Sequence, residues 1–250
     1  MISVCLATHN GEKYIIPQLT SILSQIYSED EIIISDDGSS DKTIELISSL
    51  KDDRIKVFKY NHNTFVRGEH HSIGYKVSAN FQNAINHCSG DYIFLADQDD
   101  VWFPNKIESF LREFRNGNDF IMSNLSVFEN DDISKNTSLF DSSPLSKSII
   151  KTLLKDACFG CSMAFTRKIK EVVMPIPKNI VSYDIWIGMI ACKYFKSTFI
   201  QEPTIYYRRH TGNVSEILGK STNPLWYKIY WRLQMLCSYF IKRIFQMRVR

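Results

Sequence analysis

The chain has 250 residues, 44% of them hydrophobic and 23% charged, with a formal net charge of +3. That length suits one large α/β domain, or one domain with an appendage, and no apolar run approaches the ~18 residues that would span a bilayer. Before Lys220 there are 23 basic and 27 acidic side chains, an acidic body without a reading motif, which points away from nucleic acid.

Ile2 to Ala7 is a continuous apolar run, the pattern of a parallel strand buried on both faces. Met1 leads straight into it, with no basic start and apolar stretch of a signal peptide, so a cytoplasmic location is expected. Thr8-His9-Asn10-Gly11 punctuates the strand. A helix follows with Ile15, Leu19, Ile22, Leu23 and Ile26 on one face; Pro17 is tolerable only near its first turn. Glu31 to Ser35 is a second buried strand, ending in Asp36-Asp37-Gly38-Ser39-Ser40-Asp41. That turn opens a helix through Leu50, with Ser40 or Ser39 as its N-cap. Ile55 to Tyr60 is the third strand.

Residues 61–76 read as a polar loop carrying Arg67, Gly68, His70, His71 and Gly74. A helix around Ala79 to Cys88 then leads to the fourth strand, Tyr92 to Ala96. Pro104 starts another helix. Strand–helix alternation of this kind, with right-handed crossovers, predicts a mainly parallel sheet covered on both faces. Ligands in such sheets bind at the carboxyl ends of the strands. His9 and Asn10, Asp36 and Asp37, and Asp97 all fall at such ends.

The second half is less regular. Phe120 to Phe128 reads as a strand, and 129–147 as a polar loop. Cys161 to Phe165 is a short strand, Tyr183 to Phe195 a helix, and Thr198 to Gln201 and Thr204 to Arg208 are strands around Pro203. Six cysteines are scattered along the chain. Cys158 and Cys161 have a C-x-x-C spacing, but no further zinc ligands and no early βα unit accompany them. Both are read as small buried hydrophobes.

The chemistry concentrates after the fourth strand, in Asp97-Gln98-Asp99-Asp100-Val101-Trp102. Carboxylates this close repel and raise one another's pKa unless a cation or bound donors offset them. A divalent metal is the simplest offset, because hard cations take carboxylate oxygens, and the positions left open suit a diphosphate. An EF-hand is excluded: its sixth position needs Gly, and here it is Trp102.

Three segments together, Ser3 to Gly11, Ser35 to Asp41 and Ala96 to Trp102, resemble the family 2 inverting glycosyltransferases with a GT-A fold. Tyr183-Asp184-Ile185-Trp186 and the run from Tyr207 through His210 to Asn213 resemble the acceptor-side and closing motifs of the bacterial surface-polysaccharide branch. The resemblance implies a GT-A domain over 1–215, with a nucleotide-sugar-binding half (1–100) and an acceptor-binding half (101–215). It implies that Thr8, His9 and Asn10 line the nucleotide pocket, that Asp36 or Asp37 meets the pyrimidine, and that Asn80 and Gln98 lie on the donor side. Asp97 would contact the ribose or the metal's water shell, and Asp99 would bind Mn²⁺ or Mg²⁺ with His210 as a late ligand. Asp184 matches the general base; the family's usual Glu or His before it is replaced by Tyr183. Trp102 and Trp186 read as packing residues, and Gly160 as either a turn or a close approach to the acceptor.

After Glu216 no acidic residue remains, while Lys220, Lys228, Arg232, Lys242, Arg243, Arg248 and Arg250 follow. Residues 220–250 form a basic amphipathic segment. Trp226, Ile229, Leu233, Leu236, Phe240, Ile244 and Met247 recur at helical spacing, with Lys228, Arg232, Lys242, Arg243 and Arg250 opposite. Such a helix lies in an anionic membrane interface or docks on its own domain. The expected activity is metal-dependent transfer of a hexose from UDP-glucose, UDP-galactose or dTDP-rhamnose to a lipid-linked sugar at the inner face of the plasma membrane, in O-antigen or capsule synthesis. The rivals are a sugar nucleotidyltransferase, which would want a Gly-rich phosphate loop after the first strand, and a non-catalytic nucleotide-sugar binding module.

Overall fold

The computed structural model describes residues 1–60, 72–129, 136–210 and 223–248. Arg67, Gly68, His70 and His71 of the expected polar loop, and the closing motif beyond His210, lie outside them.

The strands are β1 (Ile2–Thr8), β2 (Glu31–Asp36), β3 (Ile55–Lys59), β4 (Tyr92–Ala96), β5 (Val101–Trp102), β6 (Phe120–Glu129), β7 (Asn136–Ser138), β8 (Met163–Thr166) and β9 (Ser197–Arg209). The helices are α1 (Ile15–Leu23), α2 (Thr43–Ser49), α3 (Ser72–His87), α4 (Lys106–Arg115), α5 (Ile149–Lys155), α6 (Arg167–Val173), α7 (Tyr183–Tyr194) and α8 (Leu225–Arg248). All nine strands join one sheet, in the order β3-β2-β1-β4-β8-β6-β9-β5, with β7 on β6. The first four are mutually parallel. β8 inserts antiparallel between β4 and β6, and β5 closes antiparallel on β9. The expected parallel sheet is therefore the first half; the second half is mixed.

Apolar runs explain the buried strands. Alternate residues of β1 and β4 serve opposite cores: Val4, Leu6 and Phe94 meet α1 and α4, while Cys5, Ile93 and Leu95 meet α3 and α7. A strand buried on both faces needs no polar alternation. β3, at the edge, is mostly exposed and carries Lys56 and Lys59, as edge strands do. α7 buries residues on every side, so its apolar sequence shows little amphipathic period.

Several boundaries depart from expectation. α2 starts at Thr43, and neither serine caps it: Ser39 donates to Asp36, the Ser40 amide donates to Asn10, and it is Asp41 that accepts from the Thr43 amide. α3 begins at Ser72, inside the expected loop. Part of 129–147 is strand β7. β9 runs unbroken through Pro203. The missing N–H is absorbed at a register irregularity opposite Asn124, where the Asn124 amide donates to the carbonyls of Phe140 and Gln201. α5, α6 and their connections had no clear periodic signal.

The chain runs from β1 outward to β2 and β3, then returns to place β4 on the other side of β1. This reversal is a topological switch point, where the carboxyl ends of adjacent strands open a crevice.

α8 packs on the body through Tyr227, Trp231, Met235 and Tyr239, all buried. Two of its cations turn inward. Arg232 donates to the Leu153 carbonyl and faces Asp156 at the end of α5; Lys242 donates to the carbonyls of Val173 and Met174 at the end of α6. Cations at helix C-termini satisfy the last carbonyls, so these two do not join an exposed basic face as the periodicity suggested.

Candidate active site

The crevice at the carboxyl ends of β1, β2 and β4 is built mostly from side chains that fix one another. Gln98 ties the tips of β1 and β4. Its Oε1 accepts from the Thr8 hydroxyl (2.6 Å) and the His9 amide (2.9 Å), and its Nε2 donates to the His9 carbonyl (3.1 Å). A side chain at Gly11 would strike that amide. His9 Nδ1 lies 2.8 Å from the Asp37 carbonyl, and the Asp37 amide donates to the Thr8 carbonyl. Asn10 adopts positive φ (49°), from which its Oδ1 accepts the Ser40 amide. Asp36 accepts both the hydroxyl and the amide of Ser39. Asn80, from α3, donates to the Thr8 carbonyl (3.3 Å); its Oδ1 is buried with no hydrogen-bond partner among the described residues.

The acidic tip divides into two groups. Asp99 Oδ2 lies 2.7 Å from His210 Nε2, so the structure brings these two expected ligands together. Asp97 turns toward Asp100 and Cys161, whose ligand atoms all lie within 4.8 Å of one another. Burial first, then the charges of Asp99 and Asp184, push Asp97 up to about 7. Burial likewise raises Asp100 and the Cys161 thiol. Lys106, wholly buried, donates to the Cys161 carbonyl (3.0 Å), and burial draws it down to about 7.

These partners were not apparent in the sequence. Asp100 Oδ1 accepts the Arg208 amide (3.1 Å), while Arg208 Nε donates to the Asp99 carbonyl (2.9 Å). These two hydrogen bonds, both donated by Arg208, fix the end of β9, just before His210, to the acidic tip. The Arg208 guanidinium is sandwiched near the rings of Tyr14 and Phe128, at 4.6 and 4.7 Å. Cys161 reaches the tip because β8 lies beside β4, a long-range pairing its C-x-x-C spacing does not signal. It is buried, as expected.

Asp184 begins α7. The Ser182 hydroxyl and the Ile185 amide donate to its Oδ1. Burial dominates these and pushes it up to about 6. Its charge is among those acting on Asp97, so the two carboxylates share one site. Tyr183 stacks on Phe81, ring centroids 4.0 Å apart. Gly160 sits in a buried 3-10 turn against the Tyr183 hydroxyl. Trp102 and Trp186 are buried packing residues, the latter donating to the Val173 carbonyl.

The donor set suits a hard divalent cation. It is rich in carboxylate oxygens, the buried Asp100 Oδ2 accepts no N–H or O–H hydrogen bond among the described residues, and the charge repulsion on Asp97 is what a cation would relieve. The Cys161 thiol, held protonated by burial, is a poor ligand for such an ion.

The family model described as glycosyl transferase family 2 matches residues 3–173. The chain belongs to this family. The Escherichia coli protein WfaP, a UDP-Glc:α-D-GlcNAc-diphosphoundecaprenol β-1,3-glucosyltransferase, is 28% identical over 219 residues, covering 86% of this chain and 80% of WfaP. Among solved structures, S. aureus TarS 1–349 in complex with UDP superposes with a TM-score of 0.63 at 18% identity, over 83% of this chain and 60% of that one. A mannosyltransferase from Pyrobaculum calidifontis, in complex with GDP-Man and Mn²⁺, gives 0.52 at 18% identity over 97% of this chain and 64% of that one. These likenesses establish the GT-A type of fold for this member of the family. The first curated relatives run longer: the chain spans 66%, 80% and 58% of their lengths.

Proposed function

We propose that this glycosyltransferase moves a hexose from a pyrimidine nucleotide-diphosphate donor to a lipid-linked sugar, inverting the anomeric centre by single displacement. One observation carries the reading: an acidic tip, in which Asp99 meets His210 and Asp97 faces Asp100 and Cys161, lies at the strand-end crevice together with a separate carboxylate, Asp184, whose charge acts on Asp97. Single displacement needs that separation, one group for the leaving diphosphate and another for the attacking hydroxyl.

The donor half is 1–100 in this reading, and the acceptor half 101–215. Thr8, His9 and Asn10 form the nucleotide pocket. Asp36, which is engaged by Ser39, or Asp37 beside it meets the pyrimidine. Gln98 acts by holding the two strand tips, and the buried Asn80 Oδ1 awaits a donor group of the nucleotide. Asp99 and His210 would hold Mn²⁺ or Mg²⁺ with Asp97 alongside, and a cation there would offset the negative charge developing on the departing diphosphate. Asp184 takes the proton of the acceptor hydroxyl as its oxygen bonds to the anomeric carbon and the bond to phosphate breaks.

The WfaP likeness favours UDP-glucose as donor and a GlcNAc-diphospholipid as acceptor, in surface-polysaccharide synthesis at the cytoplasmic membrane face. No helix among the described residues is long and apolar enough to cross a membrane. α8 instead exposes Trp226, Ile229, Leu233 and Phe240 on the face away from the body, a strip suited to lying in the interface. A sugar nucleotidyltransferase is disfavoured by the Gly-poor turn after β1. The test is a donor screen with UDP-glucose, UDP-galactose and dTDP-rhamnose against a GlcNAc-diphospholipid acceptor, with Mn²⁺ and with chelator. Transfer that needs the metal supports the reading; full-rate transfer in chelator, or none from any donor, rejects it.

A further inference from the structure

A cleft of about 310 Å³ opens where the first half of α3, the segment 176–180 and α8 meet. We propose that it seats the diphosphate-linked sugar of the lipid-borne acceptor, an inference that rests on the glycosyltransferase reading above and extends it.

Two residues that line the cleft, Ser78 and Gln82, each carry a buried side-chain oxygen with no hydrogen-bond partner among the described residues, Ser78 Oγ and Gln82 Oε1. They lie four residues apart, on one face of α3. Ser78 is 3% exposed. Buried polar atoms are nearly always satisfied, and an orphan carries its full desolvation cost. A sugar hydroxyl both donates and accepts, so one sugar ring can satisfy a hydroxyl and an amide oxygen together. Lys76 on α3 and Lys178 on the facing segment supply the positive charge a diphosphate needs. The volume is that of a small-ligand site.

Position selects the acceptor. α3 crosses between parallel strands, so its first turns lie at the catalytic end of the sheet. Tyr60, on the rim, donates its amide to the Asp36 carbonyl. The segment 176–180 runs directly into Ser182 and Asp184. Tyr230, on the opposite wall, belongs to α8, whose neighbouring Trp226, Ile229 and Leu233 are exposed. The cleft thus spans both halves of the domain, and a head group in it would lie between the segment that leads into the base and an apolar strip for its lipid chain.

The probe is N-acetylglucosaminyl diphosphate bearing a short alkyl chain, titrated calorimetrically into the full chain. Wild type is expected to bind it. Gln82→Leu and the double variant Lys76→Gln/Lys178→Gln should each weaken binding at least tenfold and raise the acceptor KM similarly, with the donor KM within twofold. Thermal unfolding checks each variant, and Ser78→Ala replaces Gln82→Leu if that chain does not fold. Unchanged acceptor affinity in folded variants that still transfer sugar overturns the cleft and leaves the glycosyltransferase reading intact. Displacement of the probe by UDP puts the donor there and also overturns it. Binding without transfer from any donor keeps the cleft and rejects the activity; neither binding nor transfer rejects both.

Discussion

The ring of His210 and the carboxylate of Asp99 meet at 2.7 Å although 111 residues separate them. The contact is not left to chance, because the chain two residues earlier is bound to the same tip: Arg208 donates to Asp100 through its amide and to the Asp99 carbonyl through Nε. The end of β9 therefore places His210, the next residue, against the acidic tip, as the proposed ligand role requires.

The first prediction follows. His210→Ala should move the Mn²⁺ concentration for half-maximal transfer upward by about 10–100-fold, with the fold intact by circular dichroism. Asp99→Asn should abolish transfer and remove the metal-dependent part of UDP binding. Unaltered metal titrations in both variants would show the pair to be only a structural contact.

Asp184 gives a prediction in pH. Burial raises it to about 6 against the pull of the Ser182 hydroxyl and the Ile185 amide. A base must be unprotonated to accept, and a raised pKa means that form is lost as pH falls through about 6. kcat/KM should therefore be level above that pH and decline below it. Ser182→Ala removes a hydrogen bond that favours the carboxylate, so the decline should begin at higher pH. Asp184→Asn should cost about 10²–10⁴ in kcat with UDP affinity nearly unchanged. A pH profile identical in the Ser182→Ala enzyme would count against the assignment.

The legible part of this protein was what a single strand tip can carry. β1, β2 and β4 announce themselves because burial on both faces demands uninterrupted apolar residues, and the polar residues that end them had to face the crevice. What could not be read depends on which strands become neighbours. Cys161 reaches the acidic tip, and meets Lys106 there, only because β8 slips in between β4 and β6. Arg208 reaches it only because β5 pairs with β9. In α8, aromatic residues occupy more than one face. The spacing of Trp226, Ile229, Leu233 and Phe240 therefore drew attention from the second stripe, Tyr227, Trp231, Met235 and Tyr239, which is the one that docks.

Gly160 resolves as a packing requirement. A Cβ there would overlap the Tyr183 hydroxyl and approach its ring, and that ring stacks on Phe81 immediately before the proposed base. Gly160→Ala should lower kcat more than it lowers stability, because the displaced ring carries the first turn of α7 with it. Adding Tyr183→Phe removes the nearest clashing atom and should restore part of the rate. An additive loss in the double variant would exclude this route.

Glu31 sits at the opposite end of the sheet and concerns stability alone. Burial by itself would raise it, but hydrogen bonds from Lys56, Ser3 and Ser89 prevail and hold it at about 2, against an ordinary 4.5. A depressed folded-state pKa contributes stability above the unfolded value and forfeits it as pH falls from about 4.5 toward 2. Glu31→Gln should lose about 1–3 kcal/mol at neutral pH and show a flatter decline over that acid window. Urea titrations of both chains at pH 7 and pH 3 make the comparison; a mutant deficit that is the same at both would refute the linkage.

The two stripes of α8 make separable predictions, and the separation is what tests a membrane role. Trp231 is nearly buried against the body, so Trp231→Ala should cost about 3–5 kcal/mol and lower Tm. Trp226, Ile229, Leu233 and Phe240 make no comparable core, and changing all four to Ser should leave Tm nearly still. The same four changes should lower partition onto phosphatidylglycerol-containing vesicles at least tenfold, since apolar burial drives interfacial binding. Arg232 and Lys242 are bound to the ends of α5 and α6, which lessens the electrostatic share. Most of the vesicle binding should therefore survive salt near 1 M, where the Debye length is ~3 Å. Vesicle binding that the four serines do not change would leave the exposed stripe without a membrane role, whatever the stability data show.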